Sequence, residues 1–415
     1  MLRPAATVCA AVLLFASVES LPAHGQTAPD LGATVDGLLE SGRQLNPMLR
    51  AAVLDTAAAS AKADAAGSLD DPMVTDNYQY YRSGSLFSMH FVTVTQAFPL
   101  WGKRDLRRQA ALAEMDAAKG RERAARDQLD EQIKVAFTQY YAAARAIAVS
   151  REVITVSRQM QQAAAALYGQ GSGDQADIIQ AMSEVTTAEA DIARLQGDRE
   201  AARSRLNALV ARAPDAPLAQ PQRLRPLPSF APNVAVLLDR ARVNNPTVYT
   251  SLADIESARS QSRLADRAWY PDITVGGGPV VQTNGPTGFN ITVGLSIPLQ
   301  QGAKAAGQRE AAARLSAAQQ RLDSTMLDIQ SALGDALARL TAARRTEDLL
   351  RRSAVPQVRA AYQSAIASYA QGRGNIATTL TAEHRVHDVE LTLLRTQIDA
   401  QVALAAIERL IGGDL

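Results

Sequence analysis

The chain has 415 residues, room for two or three domains on length alone, and its 43 Lys and Arg are balanced by 42 Asp and Glu. That balance removes the electrostatic case for nucleic acid as a partner. Aromatic residues make up only 5% of the chain while alanine abounds, which favours long, closely packed helices over one bulky globular core.

The N-terminus reads as a secretory signal over residues 1–25. Arg3 is the positive start, Ala5 to Val18 is the apolar run, and Ala23-His24-Gly25 offers small residues at the cleavage site. The apolar run is too short for a spanning helix. Cys9, the single cysteine, lies inside it, too early and without the small-residue pattern of a lipid-attachment site. The mature chain is therefore expected to carry no disulfide and no thiolate chemistry. No later segment is long and apolar enough for a membrane helix, so any crossing of a bilayer is left to strands.

Residues 30–66 predict a helix ending near Gly67, and 67–72 a break. Residues 73–98 carry a strand pair: a Tyr-rich run, a turn at Ser83-Gly84-Ser85, and a run rich in β-branched residues up to Phe98. From about Lys103 to Tyr168 the chain reads as one helix, ~100 Å long at ~1.5 Å per residue. Such a helix implies a coiled coil or helical tube. A Gly-rich turn follows, and then a return helix. Within it Ile178, Ala181, Val185, Ala188, Ile192 and Leu195 open a seam spaced alternately by three and four, which runs past Arg199 to Leu209. Residues 213–232, with six prolines, form an extended connector.

The plan then repeats over 233–412, as in 30–212. Asn46-Pro47 returns as Asn245-Pro246 and Phe98-Pro99-Leu100 as Ile297-Pro298-Leu299, both offset by 199 residues. Tyr168-Gly-Gln-Gly-Ser-Gly173 returns as Tyr369-Ala-Gln-Gly-Arg-Gly374. A period this long implies duplicated structural units rather than a short solenoid. The second strand pair, 271–298, alternates Ile291, Val293, Leu295 and Ile297 with Asn290, Thr292, Gly294 and Ser296. The Gly276-Gly277-Gly278 run followed by Pro279 is expected to interrupt it. Four strands are too few to close a barrel. Either the sheet packs on helices or several chains pool their strands. The second long helix, about Ala303 to Tyr369, contains Pro356 and is expected to kink there. Its return helix carries the matching seam from Thr379 to Leu410.

Chemistry-bearing motifs are sparse. No phosphate loop, Gly-x-Ser-x-Gly elbow or thiol points to an enzyme, and no motif calls for a cofactor. His384 and His387, spaced i, i+3, are a geometry that can share a metal. Both lie off the seam, so solvated histidines facing water or a lumen are the preferred reading. Met89-His90 reads as wall packing. Gly171, Gly173, Gly372 and Gly374 serve tight left-handed turns. Tyr78, Tyr80, Tyr81 and Trp269 fit an interfacial belt or the cover of a soluble sheet.

Taken together, the signal peptide, the two repeats, Phe98-Pro-Leu-Trp-Gly-Lys103 with its echo Ile297-Pro-Leu-Gln-Gln-Gly302, and Tyr-x-x-Gly at Tyr168 and Tyr369 resemble the TolC-type outer-membrane efflux family. The resemblance covers roughly residues 30–412. It implies a mostly α fold with a small β part: a homotrimer whose protomers each give four strands to a twelve-stranded barrel in outer-membrane lipid, with long helical hairpins forming a periplasmic tube. It further implies that the Gly171, Gly173, Gly372 and Gly374 turns are tips that meet a periplasmic adaptor and, behind it, an inner-membrane pump of the resistance-nodulation-division (RND) type. Family members often carry a carboxylate ring just after these turns. Here Asp177 is the foremost candidate and Asp174 the second, while Thr378 and Thr381 occupy the places in the second repeat. The wording of the Phe-Pro-Leu-Trp-Gly-Lys segment is similar to the branch serving heavy-metal exporters. A duct for drugs or a secreted protein is the alternative within transport, and a soluble periplasmic coiled-coil scaffold or adaptor the alternative outside it.

Overall fold

A computed structural model describes residues 31–83, 85–228, 233–282 and 285–415. The expected signal segment and Cys9 lie outside the described residues. The first repeat runs α1 (Val35–Leu45), α2 (Pro47–Ala65), β1 (Met73–Ser83), β2 (Ser85–Phe98), α3 (Lys103–Gly169) and α4 (Gln175–Leu209). The second runs α5 (Val234–Asn244), α6 (Pro246–Arg267), β3 (Asp272–Gln282), β4 (Gly288–Ser296), α7 (Gln301–Leu349), a π turn (Leu350–Ala354), α8 (Val355–Ala370) and α9 (Ile376–Ile411).

The single helix expected over 30–66 is in fact two. Pro47 has no N–H and biases Asn46 into extended backbone, at φ −65° and ψ 123°. Asn46 then works in both directions. Its side-chain oxygen accepts from the N–H groups of Met48 (2.8 Å) and Leu49 (3.4 Å), capping α2, and its Nδ2 donates to the Leu209 carbonyl at 2.8 Å. Asn245 does the same for α6, accepting from Thr247 (2.8 Å) and Val248 (3.2 Å) and donating to the Leu410 carbonyl at 2.8 Å. Each Asn-Pro pair therefore starts one helix and fastens it to the end of its repeat's last helix.

α3 is unbroken over 67 residues. Its counterpart is interrupted at Leu350–Ala354, and Pro356 is the second residue of α8. The extra residue of the π turn accommodates a ring that cannot donate a hydrogen bond, so the kink expected at Pro356 appears as a π turn just ahead of it. Every position named on the two return-helix seams is buried or half-buried, Arg199 included; Arg199 bonds the adjacent Glu200 at 3.2 Å.

Three apolar clusters hold the helices. One joins Leu38, Leu129, Ile133, Phe137 and Leu206 in the first repeat, and a second joins Leu237, Leu333, Leu340 and Ile407 in the second. The third lies beside the Gly-rich turns and spans both hairpins: Met160, Ala164 and Ala181 meet Tyr369, Ile376 and Leu380. Between the first two, Lys134 of α3 donates to Glu408 of α9 at 2.8 Å and to Asp414 at 2.6 Å. Arg225 of the connector donates to the same Glu408 at 2.9 Å. The connector is thus a strap tied to both repeats, and Ala219 and Gln222 further bond the Leu31 and Ala33 carbonyls.

The strands form one antiparallel sheet in the order β1-β2-β3-β4, with β1 and β4 as its edges. Among the described residues no helix packs across it. Gly276, Gly277 and Gly278 do not interrupt β3, which is continuous. A Cβ at Gly276 or Gly278 would collide with the β2 backbone, so glycine is what permits the close approach there. Pairing between β2 and β3 lapses only at Val92 and Thr93, opposite Pro279 and Gly278, where Pro279 has no N–H to give.

Candidate functional site at the sheet wall and hairpin tips

The register sorts the sheet's side chains into two faces. Ile291, Val293 and Leu295 of β4 sit opposite Gly277, Val275 and Ile273 of β3. Those continue to Val94, Gln96 and Phe98 of β2, and Val94 stands opposite Val74 of β1. Val74, Tyr78, Tyr80, Val92, Val94, Val275, Val281, Phe289, Ile291, Val293 and Leu295 are all exposed and all on this face, which also carries the polar Gln96 and the Asp76 and His90 pair, 3.9 Å apart. The other face carries Thr75, Asn77, Thr93, Thr95, Thr274, Gly276, Gly278, Asn290, Thr292 and Gly294. Across Gly278, Asn290 Nδ2 reaches to 3.5 Å from Thr93 Oγ1. An uncovered apolar face of this extent needs a partner or lipid. The strands, 9 to 14 residues long, match the length of tilted transmembrane β-strands. Met89 and His90 point to opposite faces, so they do not share a ligand; His90 packs edge-on to Tyr78 at 4.4 Å.

Where strands become helices, the Phe98-Pro-Leu-Trp-Gly-Lys103 segment has a mechanical role. Trp101 (φ 63°) and Gly102 (φ 72°) are both left-handed, which turns the chain from β2 into α3. The indole N–H of Trp101 donates to the Pro271 carbonyl at 2.9 Å and its ring stands 5.1 Å from that of Tyr270. Buried Lys103 donates to the Tyr270 carbonyl and to Asp272 Oδ1, each at 2.8 Å. The segment thereby locks the first repeat to the start of β3.

At the far end the two turns share one construction. Gly171 (φ 72°) and Gly372 (φ 66°) supply left-handed backbone. Gly173 and Gly374 supply space, since a Cβ on either would come within 2.8 Å of the backbone nitrogen of Tyr168 or Tyr369. Asp174 caps α4, accepting from the Ala176 N–H at 3.1 Å, as Asn375 caps α9 through Ala377 at 2.7 Å. Asp177, one turn in, is half-buried. Burial, with the nearby Asp174 charge, raises its pKa above the usual carboxylate value. Burial, with the same Asp177, raises the Tyr369 phenol. Thr378 and Thr381 are exposed, with Thr381 bonded back to the Ala377 carbonyl.

The two histidines part company. His384 Nε2 reaches Glu184 of α4 at 2.9 Å, whereas His387 is half-buried with an unpartnered Nδ1. Water-facing histidines describe the first and not the second. Among the described residues no three His, Cys, Asp or Glu side chains are grouped to hold a metal. The ion network of Lys134, Glu408, Arg225 and Asp414 was not anticipated from the sequence. Its available signal was a lysine beside Ile133 and Phe137 in an apolar stripe.

Comparison with known proteins gives the same two units. The model of the outer membrane efflux protein family matches residues 38–212 and again 237–413. This chain belongs to that family. The members of that family are outer membrane efflux proteins. The chain is similar to the nickel-cobalt-cadmium resistance protein NccC of Alcaligenes xylosoxydans xylosoxydans, 27% identical over 257 residues, 60% of this chain and 56% of that protein. The match therefore spans little more than half of that relative. In fold it is similar to the outer membrane protein VceC of Vibrio cholerae (TM-score 0.79, 21% identity, 92% of this chain and 96% of that one). It is equally similar to the channel protein CusC (TM-score 0.79, 19% identity, 92% of each chain).

Proposed function

We propose that three copies of this chain close into one exit duct, pooling twelve strands in the outer membrane and their hairpins in a periplasmic tube. The observation that carries this is the sheet itself: among the described residues it has one largely apolar face, no covering helix and two edges without a partner strand. A soluble scaffold would have to bury that face, so the fold speaks against that reading. The repeats supply a second argument. α6 packs on α3 within the chain, and Ala253 there is 9% exposed, whereas Leu54, its counterpart on α2, is 68% exposed. Tyr369 is 6% exposed against the first hairpin, whereas Tyr168 is 50% exposed. Surfaces buried at the junction inside the chain are open at its two flanks, as a ring of repeated units requires.

The cargo is heavy-metal cations, delivered by an inner-membrane RND-type pump through a periplasmic adaptor that docks on the Gly171, Gly173, Gly372 and Gly374 turns. The likeness to NccC favours metal over drugs or a secreted protein. Asp177, carried three-fold, is the carboxylate ring at the entrance, with Asp174 behind it as a helix cap. The decisive test is membrane fractionation, detergent extraction and mass by light scattering. A detergent-dependent trimer from the outer-membrane fraction is the expected result; a soluble monomer or dimer overturns it. Loss of nickel, cobalt or cadmium tolerance on deletion, with drug tolerance unchanged, is the expected cargo result.

A further inference from the structure

Above the tips, α8 and α9 close on α3 around a cavity of about 370 Å³. Its wall on α3 is Val149, Val153 and Val156. Into it project Glu383 and His387, one turn apart on α9, and Tyr362 from α8. Glu383 is only 6% exposed and has no hydrogen bond or ion pair among the described residues. The Tyr362 hydroxyl and His387 Nδ1 are fully buried without a partner, while the Glu383 carboxylate, also without one, keeps slight contact with solvent. A charged carboxylate left this way is expensive to bury.

The neighbouring charges do not relieve it. From α8, Arg359 is the one cation lining the cavity, and it is engaged by Glu390 at 3.1 Å. From α4, Glu184 adds negative charge and is engaged by His384, and Asp191 adds negative charge near His387. α3 contributes Glu152, and α9 itself adds Asp388 and Glu390 beside His384 and His387. Burial foremost raises the Glu383 carboxyl to about 7, against a partial opposing effect of His384. Burial lowers His387 below its ordinary 6.5. The packed arrangement therefore favours protonated Glu383 below about pH 7 and neutral His387.

We propose that this cavity is a proton-operated latch between the hairpins: protonated Glu383 keeps α8 and α9 packed on α3, and its ionisation draws in water and releases them. The sign follows from linkage. Because the packed form raises the Glu383 pKa, its contribution is full below the ordinary value of 4.5 and is lost as pH rises through about 7. His387 acts oppositely, its contribution being present above 6.5 and lost as pH falls. The latch is tightest at mildly acidic pH. Between pH 6 and 8 the Glu383 shift lowers the packed-to-open ratio roughly tenfold.

The functional consequence rests on the duct reading, but the latch is measurable without it. Amide hydrogen exchange of α8 and α9 is followed in the full-length detergent-solubilised protein and in Glu383→Gln, at matched pH from 6 to 8, with α6 as internal reference. The expected result is that the excess opening of the wild type over Glu383→Gln grows about tenfold from pH 6 to pH 8. His387→Asn, as a second variant, keeps the alkaline loss and removes the acid one. Identical wild-type and Glu383→Gln profiles overturn the latch. If Glu383→Gln does not fold, a wild-type α8–α9 opening that is flat from pH 6 to 8 overturns it equally. A soluble monomer ends the duct reading but leaves the exchange test in force.

Discussion

The Asn245 cap makes two separable contributions, and substitution separates them. Asn245→Ala removes an acceptor for the Thr247 and Val248 N–H groups and a donor to the buried Leu410 carbonyl. Loss of an N-cap costs about 1 kcal/mol, and a buried carbonyl left without a donor costs about 1–3 kcal/mol more. The sum, about 2–4 kcal/mol, corresponds to roughly 30- to 1,000-fold faster exchange at the start of α6 if exchange follows local opening. Asn245→Asp keeps the acceptor but gives up the donor, so it isolates the carbonyl contribution and is expected to fall between Ala and the wild type. Asn46→Ala tests the same geometry in the first repeat, where the carbonyl bond is part-buried, and is expected to cost less. Hydrogen exchange of the α2 and α6 N-terminal peptides reads all three variants. An Asn245→Asp variant as well protected as the wild type would refute the two-part account.

Three further outcomes are expected. Val293→Lys places a charge on the apolar face and, if at mid-bilayer, costs about 2–4 kcal/mol per protomer; it should empty the outer-membrane fraction, while Thr292→Lys on the other face should assemble and alter conductance. Asp177 has a raised pKa, so cation conductance should fall with acidification at a higher pH than an ordinary carboxylate gives, and Asp177→Asn should flatten that profile. Asp272→Asn leaves the buried Lys103 ammonium short of its counter-charge; with Asp272 a third exposed, about 1–3 kcal/mol is expected. The double variant Lys103→Met, Asp272→Asn should cost less than Asp272→Asn alone in a thermal melt of the solubilised protein.

Much of this fold was legible because period and repetition are properties of sequence. The seam from Ile178 to Leu209 and the alternation from Asn290 to Ile297 read directly as helix and strand, and the duplication gave each assignment a second witness. Features that hinge on a single bond were not legible. Asn46-Pro47 marked a repeat, yet only the structure shows Asn46 splitting the helix, since helical periodicity survives on both sides of the break. Gly276 to Gly278 looked like an interruption because a glycine's local freedom is visible in sequence and the approach of β2 is not. His387 was placed in water by its offset from one seam. α9 in fact packs on α3 as well as on α7 and α8, so a residue off one stripe falls on another.

The repeats differ most where a repeat meets itself inside the chain and where it must meet another copy. Inside the chain, Lys103, Trp101 and Asp272 lock the first repeat to the second with an ion pair and an indole hydrogen bond. At the positions 199 residues away, Gly302, Gln300 and Met73 stand in their places, so the flanks of the chain have no such lock. This division suits the order of assembly. The in-chain junction forms once, in a single polypeptide, where a half-buried ion pair fixes register without exposing strand edges. In the proposed duct the junction between copies is the last to form, from β4 and β1, where the backbone ladder supplies the bonds and lipid excludes competing water. A lysine buried at that second junction would have to lose its water during insertion. Gly302 and Met73 avoid that cost, and the duplicated chain keeps its charge lock only where the partner is always present.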